Sequence, residues 1–356
     1  MIKTFTYFVE PASYTVDLIE NIHSKLKIDY IFIRDRSEAY TEINFDNDTF
    51  LSRKSFFPKI YFIYKVLKEY DIIIINGYNN YVFIFTYLFN VLFLKKKYIA
   101  IESDTQLQFP KNLVKRFVKY IYLNIIFRNK YVYGFAGGSF THKELFRYYG
   151  MNEDRIFLLP MVVDNNKFYK DINYKDPDKF TFLFVGRLLS TKNVDKLCEC
   201  FLSNFSHDQA RLLIVGDGVN FEDYKEKYNR ESVSFLGSLY GSELINIYHQ
   251  SSVFVFPSSQ EAWGLVINEA MCSGLPIIAH RNVGSIHDLI IGKDTGFVIN
   301  NDNDLKNCML EIYHNKERRQ SFSENTVQIM KDYWNYDLYK INLMGVINKL
   351  RYNDKK

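Results

Sequence analysis

Two runs of strand–helix alternation, divided by a stretch without periodicity, constrain this chain more than any other feature. In the first run, short apolar segments at 4–9, 29–33, 72–75, 97–101 and 131–136 read as strands. Stretches of helical period at 16–26, 59–69, 81–94, 113–127 and 141–149 lie between and after them, and 34–58 is polar and irregular. The connecting stretch from Asn152 to Lys179 is rich in Asn, Asp and Lys and carries little periodicity, as a linker should. A second run then begins, with strands expected at 180–185, 210–215, 233–236, 253–256, 277–279 and 296–299. Repeated β–α alternation specifies parallel, doubly wound sheets. The expected architecture is α/β, with Rossmann-like domains at 1–164 and 165–335 facing each other across a cleft. A last helix within 336–356 has no strand after it and is expected to cross back to the first domain. Ligands of such sheets bind outside the carboxyl ends of the strands.

At 356 residues, two cores of ordinary size are expected rather than one. The net charge of +4 is modest, its surplus lies mostly in the first half, and no recognition motif accompanies it, so nucleic acid is not an expected partner. Four cysteines with no CxxC spacing argue for a reducing compartment and against a zinc site. No leader is expected, because Met1 runs directly into a strand-like segment. The most apolar stretch, 81–94, falls short of the roughly 20 residues that span a bilayer and reads as a buried helix.

The densest chemistry lies between Val253 and Pro276. An apolar strand closed by Pro257 leads through Ser258-Ser259-Gln260-Glu261-Ala262-Trp263-Gly264 into a helix that stops at Ser273-Gly274. A helix N-terminus presents unpaired amides and a partial positive charge, which suits a phosphate. Glu261 and Glu269 stand on the same loop and helix, where carboxylates can grip hydroxyls. The alternative is two solvated charges near a helix start.

Upstream, Val185-Gly186-Arg187-Leu188-Leu189-Ser190-Thr191-Lys192 puts two cations at the end of another strand. Arg offers phosphate a planar fork and Lys a mobile point charge, although two solvated basic residues would look the same. Val215-Gly216-Asp217-Gly218 and Phe235-Leu236-Gly237 are further glycine exits from strands. No GxGxxG follows a strand, so dinucleotide redox chemistry is disfavoured.

Taken together, these blocks resemble the "group 1" (family 4) retaining glycosyltransferases of the GT-B type, over about 90 residues from Gly186 to Pro276. The resemblance implies a nucleotide diphosphate sugar as donor, UDP-linked by preference and GDP-linked as the alternative, and no required metal or other cofactor. It assigns Arg187 and Lys192 to the diphosphate, with the Leu265 and Val266 amides beside them. Glu269 would take the ribose hydroxyls and Glu261 the donor sugar, in a pocket lined by the Ala262-Trp263-Gly264 backbone and narrowed by the Trp263 side chain. Gly186, Gly216 and Gly237 would border the nucleotide, the last framing the base. Catalysis would rest on Glu261, Arg187 and Lys192. The Asp-Asn-Asp sets at 46–48 and 302–304 read as turn chemistry rather than metal ligands.

The resemblance thins in the first half. Pro11-Ala12-Ser13-Tyr14 stands where the family often has glycines, and Glu102-Ser103-Asp104 where it often has a His. Either acid could orient an acceptor hydroxyl or cap the next segment. Asn282-Val283-Gly284-Ser285…Asp288 departs from the usual Gly-Gly…Glu, which puts a donor contact there in doubt. Lys95-Lys96-Lys97, Lys111, Lys115, Arg116, Lys119, Arg128 and Lys130 surround a helix rich in aromatic and aliphatic residues. That face suits either the inner membrane surface and a lipid-linked saccharide acceptor, or an ordinary surface helix. The expected activity is transfer of a hexose-type sugar to a saccharide, in cell-surface polysaccharide or lipopolysaccharide synthesis, at a cytoplasmic location. A nucleotide-sugar epimerase and a catalytically silent membrane-surface subunit are the rivals.

Overall fold

The computed structural model describes residues 2–35, 45–93, 95–169 and 179–353. The chain forms two compact units: Met1–Val162 together with Tyr336–Lys356, and Val163–Asn335. Residues 36–44 of the polar stretch, the expected helix end at Leu94, residues 170–178 of the connecting stretch and the terminal residues 1 and 354–356 lie outside the described residues.

In the first unit, strands β1 (Thr4–Phe8), β2 (Asp29–Phe32), β3 (Ile72–Asn76), β4 (Tyr98–Ser103), β5 (Val132–Ala136) and β6 (Ile156–Leu158) form one sheet in the order β2-β1-β3-β4-β5-β6. Every pairing is parallel. Helices α1 (Ser13–Leu18) and α2 (Ser24–Leu26) are joined by a π-helical stretch, Ile19–His23. Helices α3 (Phe56–Glu69), α4 (Tyr81–Leu92), α5 (Leu113–Arg128) and α6 (Thr141–Tyr148) follow their strands in turn. All four pack into one apolar cluster with β1, β3, β4 and β5, through side chains such as Leu67, Phe83, Phe127 and Phe146. Strands of a sheet covered on both faces read as continuous apolar runs, which is why Ile72–Ile75 could be found from sequence.

The second unit opens with a short helix, α7 (Asn165–Phe168). Its strands are β7 (Phe180–Val185), β8 (Ala210–Val215), β9 (Val233–Phe235), β10 (Val253–Phe256), β11 (Ile277–His280) and β12 (Gly296–Ile299), in the order β12-β11-β10-β7-β8-β9, again all parallel. Its further helices are α8 (Val194–Asn204), α9 (Phe221–Tyr228), α10 (Gly241–His249), α11 (Leu265–Cys272), α12 (Ile286–Leu289), α13 (Asp302–His314) and α14 (Lys316–Asp332). Helix α15 (Tyr336–Asn353) belongs to the first unit, where the Lys349 ammonium donates to the Asp154 carbonyl at 2.7 Å.

Three expectations need correction. The connecting stretch is not wholly irregular: Ile156–Leu158 pairs with Gly134–Ala136 as an edge strand, too short to show a period. The helix within 81–94 is not buried. Val82, Phe83, Thr86 and Asn90 face the core, but Ile84, Leu88, Val91 and Leu92 are exposed. The first helix starts at Ser13, three residues early, and passes through the π-helical turn before ending at Leu26. Asp302–Asp304 is the first turn of α13, whose Asp304 amide is capped by Asn301 at 3.0 Å.

Candidate functional site

Each sheet changes winding direction once: between β1 and β3 in the first unit, and between β7 and β10 in the second. Neighbouring loops leave the sheet in opposite directions there, and a crevice opens at the carboxyl ends. In the second unit the loops at that point are Gly186–Asn193, after β7, and Pro257–Gly264, after β10. They are stitched together through Thr191, whose carbonyl accepts from the Ser259 amide at 2.8 Å and the Ser259 hydroxyl at 3.0 Å. The Asn193 side chain adds a bond to the Pro257 carbonyl at 2.8 Å. The backbone of the Glu261 loop also bridges to Val283, and the amides of Gly284 and Ser285 donate to the carbonyls of Glu261 and Trp263. The 282–285 loop, doubtful from sequence, thus holds the Glu261 loop in place.

This frame brings Lys192 and Glu261 into a direct ion pair. Both side chains are mostly shielded, 12% and 21% exposed, and the Lys192 ammonium lies 5.1 Å from the centre of the Phe256 ring. Arg187 is exposed on the same β7 loop. Beside them Gly264, at φ 92°, starts α11 with no side-chain cap, so the amides of Leu265 and Val266 are not engaged by a capping side chain. A Cβ on Gly264 would crowd Glu261 Cγ and Val283 at 3.3 Å, so glycine serves both the turn and the close packing.

The glycine exits lie along the same edge. The Gly186 amide donates to the Val215 carbonyl at 3.0 Å and the Gly216 amide to the Gly237 carbonyl at 2.8 Å, joining the ends of β7, β8 and β9. Gly216 approaches its neighbour so closely that a Cβ would stand 2.0 Å from the Gly186 oxygen. Gly237, at φ 69°, has open space where its Cβ would be.

Glu269 lies partly buried on α11 and accepts a hydrogen bond from the Tyr248 hydroxyl at 2.8 Å. Burial pushes its carboxyl up to about 7, and the Tyr248 bond moderates that rise by favouring the charged form. Sequence reasoning missed Tyr248, which stands in the last turn of α10 and reads there as an ordinary buried aromatic. Trp263 behaves differently from the expectation. Its ring is 1% exposed, stacked on Trp334 at 5.2 Å and 11°, with Nε1 donating to Asn268 at 2.9 Å. The side chain therefore narrows no pocket and anchors the loop in the core, while Ala262 beside it is exposed.

The first unit has its own crevice, a cavity of about 570 Å³ bordered by Glu10, Arg34, Asn76, Glu102, Asp104 and Tyr339 among others. Glu102 accepts from the Asn76 amide at 2.6 Å and from the Tyr339 hydroxyl of α15 at 3.3 Å. Burial raises its carboxyl to about 7, and Asp104 nearby adds to the rise. The turn after β4 is held by Ser103, whose hydroxyl accepts from the Thr105 amide at 3.1 Å, so that cap requires neither acid.

An α/β protein of two parallel doubly wound sheets, with polar groups gathered at each switch of winding, is the GT-B architecture. The chain superimposes on such proteins over nearly its whole length. Against Anabaena HepE, solved with UDP and glucose, the TM-score is 0.73 at 15% identity, covering 98% of this chain and 100% of that one. For sucrose-phosphate synthase of Thermosynechococcus elongatus it is 0.72 at 17% identity, covering 99% and 100%.

Residues 165–328 match the family described as glycosyl transferases group 1, so the second unit carries a group 1 glycosyltransferase domain. Similarity to the sulfoquinovosyl transferase SQD2 of Arabidopsis thaliana is 37% identity over 153 residues, 41% of this chain and 29% of that protein. An uncharacterised glycosyltransferase of Methanocaldococcus jannaschii is 29% identical over 217 residues, 55% of this chain and 60% of its own length. A GDP-mannose-dependent α-mannosyltransferase of Mycobacterium tuberculosis is 33% identical over 138 residues, covering 38% and 35%. The matches thus span 29% to 60% of these relatives' own lengths.

Proposed function

We propose that this chain transfers a hexose-type sugar, with retention at the anomeric carbon, from a nucleotide diphosphate sugar to a hydroxyl of a saccharide acceptor. The observation that carries the reading is the Lys192–Glu261 pair at the switch of winding, beside the uncapped start of α11. As the glycosyl bond breaks, negative charge grows on the departing diphosphate. Lys192, Arg187 and the amides of Leu265 and Val266 would meet it with fixed positive potential, strongest in the transition state. Glu261 would accept hydrogen bonds from the sugar hydroxyls, and Glu269 from the ribose. The cations and the helix start would provide the counter-charge that a divalent ion supplies elsewhere. Glu102 and Asp104, at the crevice of the first unit, would receive the acceptor.

A UDP-linked donor is favoured by likeness to HepE, whose structures hold UDP and UDP-glucose. The test is a panel of UDP-, GDP- and ADP-sugars offered to the purified chain in the presence of a chelator. The expected outcome is thermal stabilisation by one nucleotide and release of that nucleotide, sugar appearing on an added saccharide. Binding of no nucleotide would end the proposal. Conversion of the donor sugar without any acceptor would replace it with an epimerase.

A further inference from the structure

The first unit carries a surface that the sugar chemistry does not use. Helices α3, α4 and α5 lie on one face of its sheet, since right-handed crossovers between consecutive strands running the same way put their helices on the same side. Their inner sides fill the core, yet their outer sides are not polar. On α5, Val114, Phe117, Val118, Ile121 and Ile125 are 43–71% exposed. On α4, Leu88, Val91 and Leu92 are exposed, and on α3 so are Phe56, Phe57 and Tyr61.

The charges around this face are nearly all of one sign. Residues 49–143, which hold the three helices, contain fifteen Lys or Arg against four acids, and of those only Glu69, at the end of α3, lies on the helices themselves. Exposed Lys111, Lys115 and Arg116 flank the outward stripe of α5, and the Arg116 guanidinium lies 4.5 Å from the centre of the Phe109 ring.

We propose that the outer face of α3, α4 and α5 docks on an anionic lipid bilayer, with the apolar side chains entering the interface and the cations meeting lipid phosphates. A second copy of the chain is a poor occupant, because two such faces would bring cations against cations. Lys59 and Tyr81 border the first-unit cavity, Lys59 in the first turn of α3 with Phe56 and Phe57 and Tyr81 at the start of α4. An acceptor anchored in the bilayer would therefore reach that cavity from the membrane. This last consequence rests on the proposed acceptor site, whereas the docking does not.

The test is sedimentation of the full chain with vesicles of phosphatidylcholine alone and of phosphatidylcholine with phosphatidylglycerol. Binding is expected only with the anionic vesicles and is expected to weaken as salt rises. Reversing Lys111, Lys115 and Arg116 to Glu should lower the partition on the order of a hundred-fold or more. Phe117→Asp with Val118→Asp should lower it independently, and both variants should keep the thermal midpoint because these side chains are exposed. Absence of binding to either vesicle, or equal binding to both, would overturn the proposal. So would self-association that Phe117→Asp abolishes without any vesicle binding. None of these readouts depends on sugar transfer, so failure here leaves the proposed activity standing.

Discussion

Lys192 and Glu261 are joined in an ion pair where the winding of the second sheet reverses, one from the loop after β7 and the other from the loop after β10. A diphosphate arriving beside Lys192 would compete with the Glu261 carboxylate for the same ammonium. Glu261→Gln removes the competing charge while keeping a group that can bond sugar hydroxyls. Nucleoside diphosphate alone should then bind about five-fold tighter, a gain of about 1 kcal/mol for one charge at contact distance in a partly solvated site. Sugar transfer should fall roughly a hundred-fold, because the carboxylate contact at the reacting sugar is weakened. Titration calorimetry with the free nucleotide, alongside initial rates, separates the two effects. Unchanged nucleotide affinity together with unchanged rate would remove Glu261 from the site.

Gly216 gives a test that concerns the frame alone. Its φ of 127° and the 2.0 Å approach of a would-be Cβ to the Gly186 oxygen leave no room for alanine. Gly216→Ala should cost about 3 kcal/mol of stability, read from urea unfolding. Gly237→Ala, with open space around it, should cost only the strain of its left-handed backbone, about 1 kcal/mol. Equal costs at the two positions would show that the close approach is not the reason for glycine at 216.

The Trp263–Trp334 stack separates core from pocket. Trp334→Ala empties a fully buried site and should destabilise the second unit by about 3–5 kcal/mol. Trp263→Phe keeps most of the packing but loses the bond to Asn268, so a folded variant should show a lower melting temperature with its choice among donor sugars unchanged. A changed ranking of donor sugars in Trp263→Phe would show that the indole shapes the sugar site after all.

How much of this was legible in the sequence follows from what each feature depends on. Long apolar runs such as Phe180–Val185 declare themselves because both faces of the sheet are covered, so nothing interrupts them. The three-residue β6 is too short to show a period and depends on β5 for its existence. The order of Arg187, Lys192, Glu261 and Glu269 along the chain is visible, and so is the position of the first three in loops after strands and of Glu269 in the helix that follows. Their partners are not: Tyr248 meets Glu269 from 21 residues upstream, and Tyr339 meets Glu102 from 237 residues downstream. Trp263 was misjudged because a large aromatic beside a candidate sugar-binding loop reads equally well as pocket wall or as anchor. Only Trp334, on the far side of the domain sequence, decides between them.

Glu269 links the site to pH. Burial holds its carboxyl at about 7, well above the ordinary value of 4.5. A raised carboxyl stabilises the fold fully below about pH 4.5, and that contribution is lost as pH climbs through about 7. Glu102, raised to about 7 by burial, acts in the same direction. The unliganded protein should therefore lose stability across this window as pH rises. Nucleotide binding should show the opposite slope, because ribose hydroxyls donating to Glu269 would select its charged form. Affinity for the nucleotide should climb with pH and level off above about 7, with protons released on binding at about pH 6. Tyr248→Phe removes a donor that favours the charged carboxylate, so the climb should move to higher pH while the plateau affinity changes little. Calorimetry in buffers of different ionisation enthalpy reads the released protons directly. If affinity stays flat between about pH 5 and 8 in both proteins, Glu269 does not take the ribose.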